Sequence, residues 1–232
     1  MHKSLLSAAA LALAVVAPLA HAHTEGDIIL RAGAITVNPK ADSSSVKVDQ
    51  GPLAGANLGG KATMSSDTQL GLNFAYMITD HVGIELLAAT PFEHDVKLKG
   101  TALSAANGKL GSLKHLPPTL SVVYYPLDSK SVFQPYVGAG INYTWIDDEH
   151  VGSSASAAGF DNFKAKNSWG MAFQIGADYM LTDNILINAQ ARYIDIDTRA
   201  TVENNAVAPG TRAKVNVDVD PFVYMVGVGY KF

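Results

Sequence analysis

The chain has 232 residues, no cysteine, 16% charged residues and a formal net charge of −4. No run of Lys and Arg interrupts it, which argues against nucleic acid as a partner, and the absence of cysteine excludes disulfides and thiol chemistry. A hydrophobic share of 48% is ordinary for a soluble protein, and it also suits a membrane barrel, where only every second strand residue faces lipid.

The first 22 residues read as a secretory signal. Lys3 supplies the positive end, Leu5 through Leu19 form an apolar stretch closed by Pro18, and Ala20-His21-Ala22 puts small residues at the two positions a signal peptidase inspects. Cleavage is expected before His23. The stretch is too short for a membrane anchor, and no second apolar run of about 18 residues follows. Residues 23–232 then form one exported domain with nothing resembling a linker.

Eight segments follow in which apolar residues alternate with small or polar ones, the period-two signature of strands. They run Asp27–Val37, Thr68–Thr79, Val82–Val96, Pro118–Leu127, Gln134–Ile146, Ser168–Leu181, Ile185–Thr198 and Ala213–Phe232. Short connections with turn residues, Thr79-Asp80-His81, Asp128-Ser129-Lys130 and Thr182-Asp183-Asn184, alternate with long ones over Asn38–Asp67, Lys97–Pro117, Asp147–Asn167 and Arg199–Arg212. The expected fold is all-β: an eight-stranded antiparallel transmembrane β-barrel of the bacterial outer membrane, with periplasmic short turns and four long extracellular loops.

Parity assigns the faces. Leu70, Leu72, Phe74, Tyr76 and Ile78 point out of the second strand, and Gly71 and Asn73 point in. Trp169, Met171, Phe173, Ile175 and Tyr179 point out of the sixth, and Gln174 and Asp178 point in. No charge falls in the outward rows at membrane depth, where a Lys or Arg costs about 2–4 kcal/mol. Past Tyr193 the outward row of the seventh strand continues through Asp195 and Asp197, so either it has cleared the membrane or a bulge shifts it.

The inward charges are Arg31, Glu85, Asp178, Arg192 and Lys231. With neutral neighbours such as Gln69, Asn73, Ser121, Asn142, Gln174, Asn188 and Gln190 they can pair into a polar lumen network. An eight-stranded barrel is only wide enough for side chains to fill, so the expectation is a stabilising plug, with a polar solute path as the alternative. Pro91 lies in the third strand, where parity points it inward, and it has no N–H for the ladder. It marks either a bulge or a sideways opening from lumen to lipid. The loops are apolar for loops: Leu53, Leu58, Phe160 and Phe163 are expected to form a hydrophobic gate or to pack as a cap.

In the last strand Phe222, Tyr224, Val226, Val228, Tyr230 and Phe232 share one face. The pattern is that of the closing strand of outer-membrane barrels, with Tyr230 and Phe232 as the signal for the barrel assembly machinery. No enzyme signature stands out: there is no Gly-x-Ser-x-Gly elbow, and Gly138-x-Gly140 and Gly227-x-Gly229 sit on strands rather than phosphate loops. Glu93-His94-Asp95 and Asp147-Asp148-Glu149-His150 read as solvated rim clusters that divalent ions can bridge to lipopolysaccharide phosphate. No catalytic residue, metal or cofactor is expected.

Several segments together resemble the OmpW/AlkL family of small outer-membrane barrels. They are Ser66-Asp67-Thr68-Gln69-Leu70-Gly71-Leu72, Gly83 through Phe92, Leu116-Pro117-Pro118-Thr119-Leu120, Gln134-Pro135-Tyr136-Val137-Gly138, and Val217 through Phe222 with Tyr230-Lys231-Phe232. The resemblance implies a hydrophobic passage blocked toward the periplasm, with small apolar molecules entering from outside and leaving sideways into the membrane at the position of Pro91. It also implies alternatives. Some members are thought to pass small amino acids, which would favour the polar inner row, and a structural or surface-interaction barrel without transport is a third reading.

Overall fold

The computed structural model describes residues 22–232. Of the expected signal, Met1 to His21 lies outside them. The strands in chain order are β1 (Ile28–Asn38), β2 (Asp42–Ser43), β3 (Val46–Gln50), β4 (Asn57–Met64), β5 (Asp67–Met77), β6 (Val82–Ala89), β7 (Phe92–Thr101) and β8 (Gly108–Leu116). They continue with β9 (Thr119–Tyr124), β10 (Phe133–Val151), β11 (Phe160–Ala165), β12 (Ser168–Met180), β13 (Ile185–Ile194), β14 (Asp197–Asn204), β15 (Thr211–Asp218) and β16 (Phe222–Lys231). A short α-helix, α1 (Ser153–Ala157), precedes β11, and a 3-10 turn (Ser104–Ala106) precedes β8.

Eight of these close a barrel in the order β1-β5-β6-β9-β10-β12-β13-β16, with β16 returning to β1 in register from Ile29↔Lys231 to Asn38↔Phe222. Closure leaves no open strand edge in lipid, where an unpaired backbone group costs several kcal/mol, roughly. The four expected long loops are largely strands. They stack a second tier on the barrel as the sheet β11-β14-β15-β3-β4-β7-β8-β10, with β10 running through both tiers. Their sequences escaped the period-two reading because charges sit on the outward face of a wall standing in water, so no apolar row marks it.

The faces follow the expected parity. Leu70, Phe74, Val137, Ile175 and Val226 are exposed, and their strand neighbours are buried or half-buried. Two aromatic girdles bound this band. Tyr76, Tyr124, Phe133, Tyr179 and Tyr230 ring the short-turn end, and Tyr143 beside Trp169 (4.6 Å) and Tyr193 beside Phe222 (5.7 Å) mark the other. The outward row of the seventh segment keeps its parity past Tyr193: exposed Asp195 and Asp197 alternate with buried Ile194 and Ile196. The row has therefore cleared the apolar band, and no bulge shifts it.

Candidate functional site

The lumen has two layers of opposite character. In the lower one Arg31 is held between strands: its Nε donates to Asp178 Oδ1 (3.0 Å), Nη1 to Asn73 Oδ1 (2.9 Å) and Nη2 to the Tyr125 hydroxyl (2.9 Å). Arg192 donates to Glu85 Oε1 (2.6 Å), and Gln174 Nε2 donates to the same oxygen (2.9 Å). Arg31 Nη1 lies 3.5 Å from Glu85, so the two ion pairs join. Asn188 bridges Asp178 (2.8 Å) and the Tyr136 hydroxyl (3.0 Å). The Tyr136 ring can fold inward because residue 176 is glycine: a Cβ there would stand 2.5 Å from the ring. His23 closes the bottom, with Nε2 2.8 Å from Asp178 Oδ2. Lys231, nearer the short turns, lies 3.6 Å from Asp27 and donates to the Ala22 carbonyl.

Two guanidinium and two carboxylate groups are thus buried and mutually hydrogen-bonded, which is the arrangement that buried charges require. Of the five charges expected in the lumen, Arg31, Glu85, Asp178 and Arg192 are brought together as a plug across the barrel, and Lys231 lies below with Asp27 and Ala22. Asn73, Gln174 and Asn188 join it, as expected.

Above the plug the inward residues turn apolar. Ile35, Leu87, Phe92, Leu113, Ile146 and Ile194 belong to one continuous buried cluster that fills the upper barrel. Phe160 and Phe163 are buried in it, and Leu58 packs half-buried against it. Leu53 does not: it is 55% exposed in the turn after β3, so its expected place in the gate is wrong. Apolarity alone did not reveal that Gly51 and Gly55 hold that turn outward in left-handed conformations. The buried cluster packs this layer, and the space beside Leu113, His115 and Ile146 is about 20 Å³, room for one water. A solute must therefore displace side chains to pass.

The wall is interrupted beside this layer. β6 pairs with β9 up to Leu87↔Thr119, and pairing resumes between β7 and β8 at Phe92↔His115. Leu87 and Phe92 both point inward although five residues apart, whereas Thr119 and His115 are four apart. One extra residue therefore sits in the β6–β7 side, and it reverses the parity. Pro91 is consequently exposed on the outer surface, not inward as expected. Pro117 and Pro118 stand on the opposite side of the break, and none of the three can donate to a ladder. Outside the break lies a hollow of about 160 Å³ lined by Pro91, His115, Leu116, Trp145 and the Lys114–Asp148 pair.

The extra residue also corrects the rim reading of Glu93-His94-Asp95. His94 and His115 turn inward, bury themselves and meet Nε2 to Nε2 at 2.8 Å. Burial pulls both imidazoles below their ordinary range, His115 to about 3. Sequence reasoning missed this pair because a one-residue bulge is invisible to a parity count. Of the other rim groups, Asp148 is solvent-facing and paired with Lys114 (2.6 Å), which holds its carboxyl below the usual range, whereas Glu149 tucks its carboxylate away from solvent beside Lys164 (3.3 Å). Asp195, Asp197 and Asp220 bring carboxylate oxygens within 4.8 Å of one another, the first two exposed and Asp220 half-buried, a clustering that the sequence pattern did not suggest.

The whole of this architecture recurs in known proteins. The profile described as the OmpW family matches residues 24–232. The chain belongs to the OmpW family. It is 42% identical over 232 residues to outer membrane protein W of Vibrio cholerae, covering 100% of both chains. The crystal structure of the outer membrane protein OprG from Pseudomonas aeruginosa superposes with a TM-score of 0.84 at 48% identity, covering 91% of this chain and 98% of that one. A more distant relative, the dibenzothiophene metabolism operon protein PahQ of Pseudomonas aeruginosa, is 26% identical over 174 residues, 75% of this chain and 76% of that one. This OmpW-family chain is an outer-membrane β-barrel.

Proposed function

We propose that the barrel admits small hydrophobic molecules passively and releases them sideways into the outer membrane through the break beside Pro91. The observation that carries this reading is the pairing of a polar floor with an interrupted ladder in the wall. A solute entering the apolar upper layer meets the Arg31–Asp178–Glu85–Arg192 plug below, and the interrupted ladder between β6–β7 and β8–β9 beside it. An apolar molecule gains roughly 25 cal/mol for each Å² it removes from water, which favours the route along Phe92 and Leu113 over one through buried charges. The operon named for PahQ, which concerns an apolar aromatic compound, supports the same class of solute.

In this reading the hairpin tier faces outward and the short turns face the periplasm. Lipopolysaccharide and membrane lipid surround the band, and the assembly machinery reads Tyr230 and Phe232. The test is uptake of naphthalene and of labelled alanine by cells lacking the protein, with and without it restored. Faster naphthalene entry alone supports the lateral route. Faster alanine entry alone moves the solute path to the polar row, and no change in either leaves a structural or surface role.

A further inference from the structure

The upper layer is largely apolar, and beside the break the buried His94–His115 pair sits within it. Hydrogen-bond logic fixes both protons. His94 Nδ1 lies 2.6 Å from the Ser65 carbonyl oxygen, which only accepts, so Nδ1 carries the His94 proton. His94 Nε2 is then bare and accepts from His115 Nε2–H at 2.8 Å. A neutral imidazole has one N–H, so His115 Nδ1 is a bare acceptor. It is buried and has no partner among the described residues. The ring cannot turn freely to find one: it is bonded to His94 at one edge and stacked on Phe92 with centroids 5.4 Å apart. Both rings remain neutral at ordinary pH, because burial opposes their charging.

His115 also borders two spaces at once. It lines the outer hollow with Pro91 and Trp145, and it lines the inner space with His94, Leu113 and Ile146. A molecule leaving the lumen by the break passes this side chain.

We propose that His115 Nδ1 is a hydrogen-bond station for the solute, and that the passage selects apolar molecules carrying one hydroxyl group, alcohols and phenols, over the corresponding hydrocarbons. The inference rests on the lateral route proposed above and names its substrate class. The chemistry is specific in direction. A neutral acceptor needs a donor, which an alcohol or phenol O–H supplies and which a hydrocarbon, an ether or a carboxylate lacks. An ammonium group can donate, but it would have to shed its water in an apolar layer. An otherwise unpaired buried acceptor gains most from the bond, since leaving it unmade is the costly state.

The test compares 2-naphthol with naphthalene, each corrected for entry into cells without the protein. The expected preference of the wild-type barrel for 2-naphthol is about fivefold, the worth of one neutral hydrogen bond. Replacing His115 alone would bare His94 Nε2 as a substitute acceptor, so the informative variant is the double change His94→Leu with His115→Phe. It should lose the preference, read as the ratio of 2-naphthol entry to naphthalene entry. In parallel, nitrogen NMR of the wild-type barrel in micelles should show the His115 Nδ1 signal moving with 2-naphthol and not with naphthalene. A preference retained by the double variant, or an Nδ1 signal unmoved by 2-naphthol, overturns the proposal while leaving the lateral route standing. If neither probe enters faster through the wild-type barrel, the lateral route fails, and the NMR titration alone then decides whether His115 binds hydroxyl groups.

Discussion

Arg31 and Asp178 face each other across the lumen, 147 residues apart in sequence, and join through two bonds, Nε to Oδ1 at 3.0 Å and Nη2 to Oδ2 at 2.5 Å. Neither side chain has any exposed surface. Removing Arg31 leaves Asp178 buried without its guanidinium partner, with His23 and Asn188 as its remaining contacts. Arg31→Met should therefore destabilise the barrel by about 3–5 kcal/mol, read as urea unfolding in lipid vesicles. The double variant Arg31→Met with Asp178→Leu should recover part of that loss, because it removes both charges.

Pro91 stands where the wall carries one residue too many. Pro91→Ala returns an N–H donor to the break and should tighten it. Naphthalene uptake should fall, while unfolding in vesicles should shift by no more than about 1 kcal/mol. A variant that unfolds readily yet transports normally would assign Pro91 a purely structural part.

Phe163 and Leu53 were both expected in the gate, and the structure separates them. Phe163 is 2% exposed and Leu53 55%. Phe163→Ala should cost the upper tier about 3–5 kcal/mol and speed proteolysis of the hairpins, whereas Leu53→Ser should change neither proteolysis nor uptake.

The imidazole pair makes the upper tier sensitive to acid. Burial is the main cause that holds His115 down to about 3, with His94 adding to it and Asp67 opposing it. In an opened hairpin the same ring titrates near about 6.5. Between these values the open state binds more protons than the closed one, so stability falls as pH falls from about 6.5 toward 3 and levels off below. Glu93 and Lys114 flank the pair on the outward face. Fluorescence of Trp145, which shares the outer hollow with His115, should report the opening. His94→Leu with His115→Phe should flatten that pH dependence.

Phe232 extends the lower girdle, its ring 4.7 Å from Tyr230 and largely exposed. Phe232→Ala should leave folding of the purified barrel in micelles intact and reduce the amount inserted in the outer membrane of growing cells, measured by fractionation. Equal insertion of both forms would remove Phe232 from the assembly signal.

The sequence by itself determined the barrel and its floor. A strand places every second side chain on one face, so a count by twos found the lipid-facing rows and sent Arg31, Glu85, Asp178 and Arg192 inward without any knowledge of strand order. Their meeting followed from the narrowness of an eight-stranded lumen, which gives inward charges nowhere else to go. The tertiary structure alone decided what happens where the count slips. One extra residue near Pro91 turned that proline out and Phe92 and His94 in, so that His94 meets the inward His115, and no local pattern announces an insertion whose register is set by the neighbouring strand. It likewise decided that the long loops are a second tier of wall. Their strands are held by pairings between segments far apart in the chain, such as Arg212↔Gln50, and they meet water outside, so they carry no apolar row for the eye to follow.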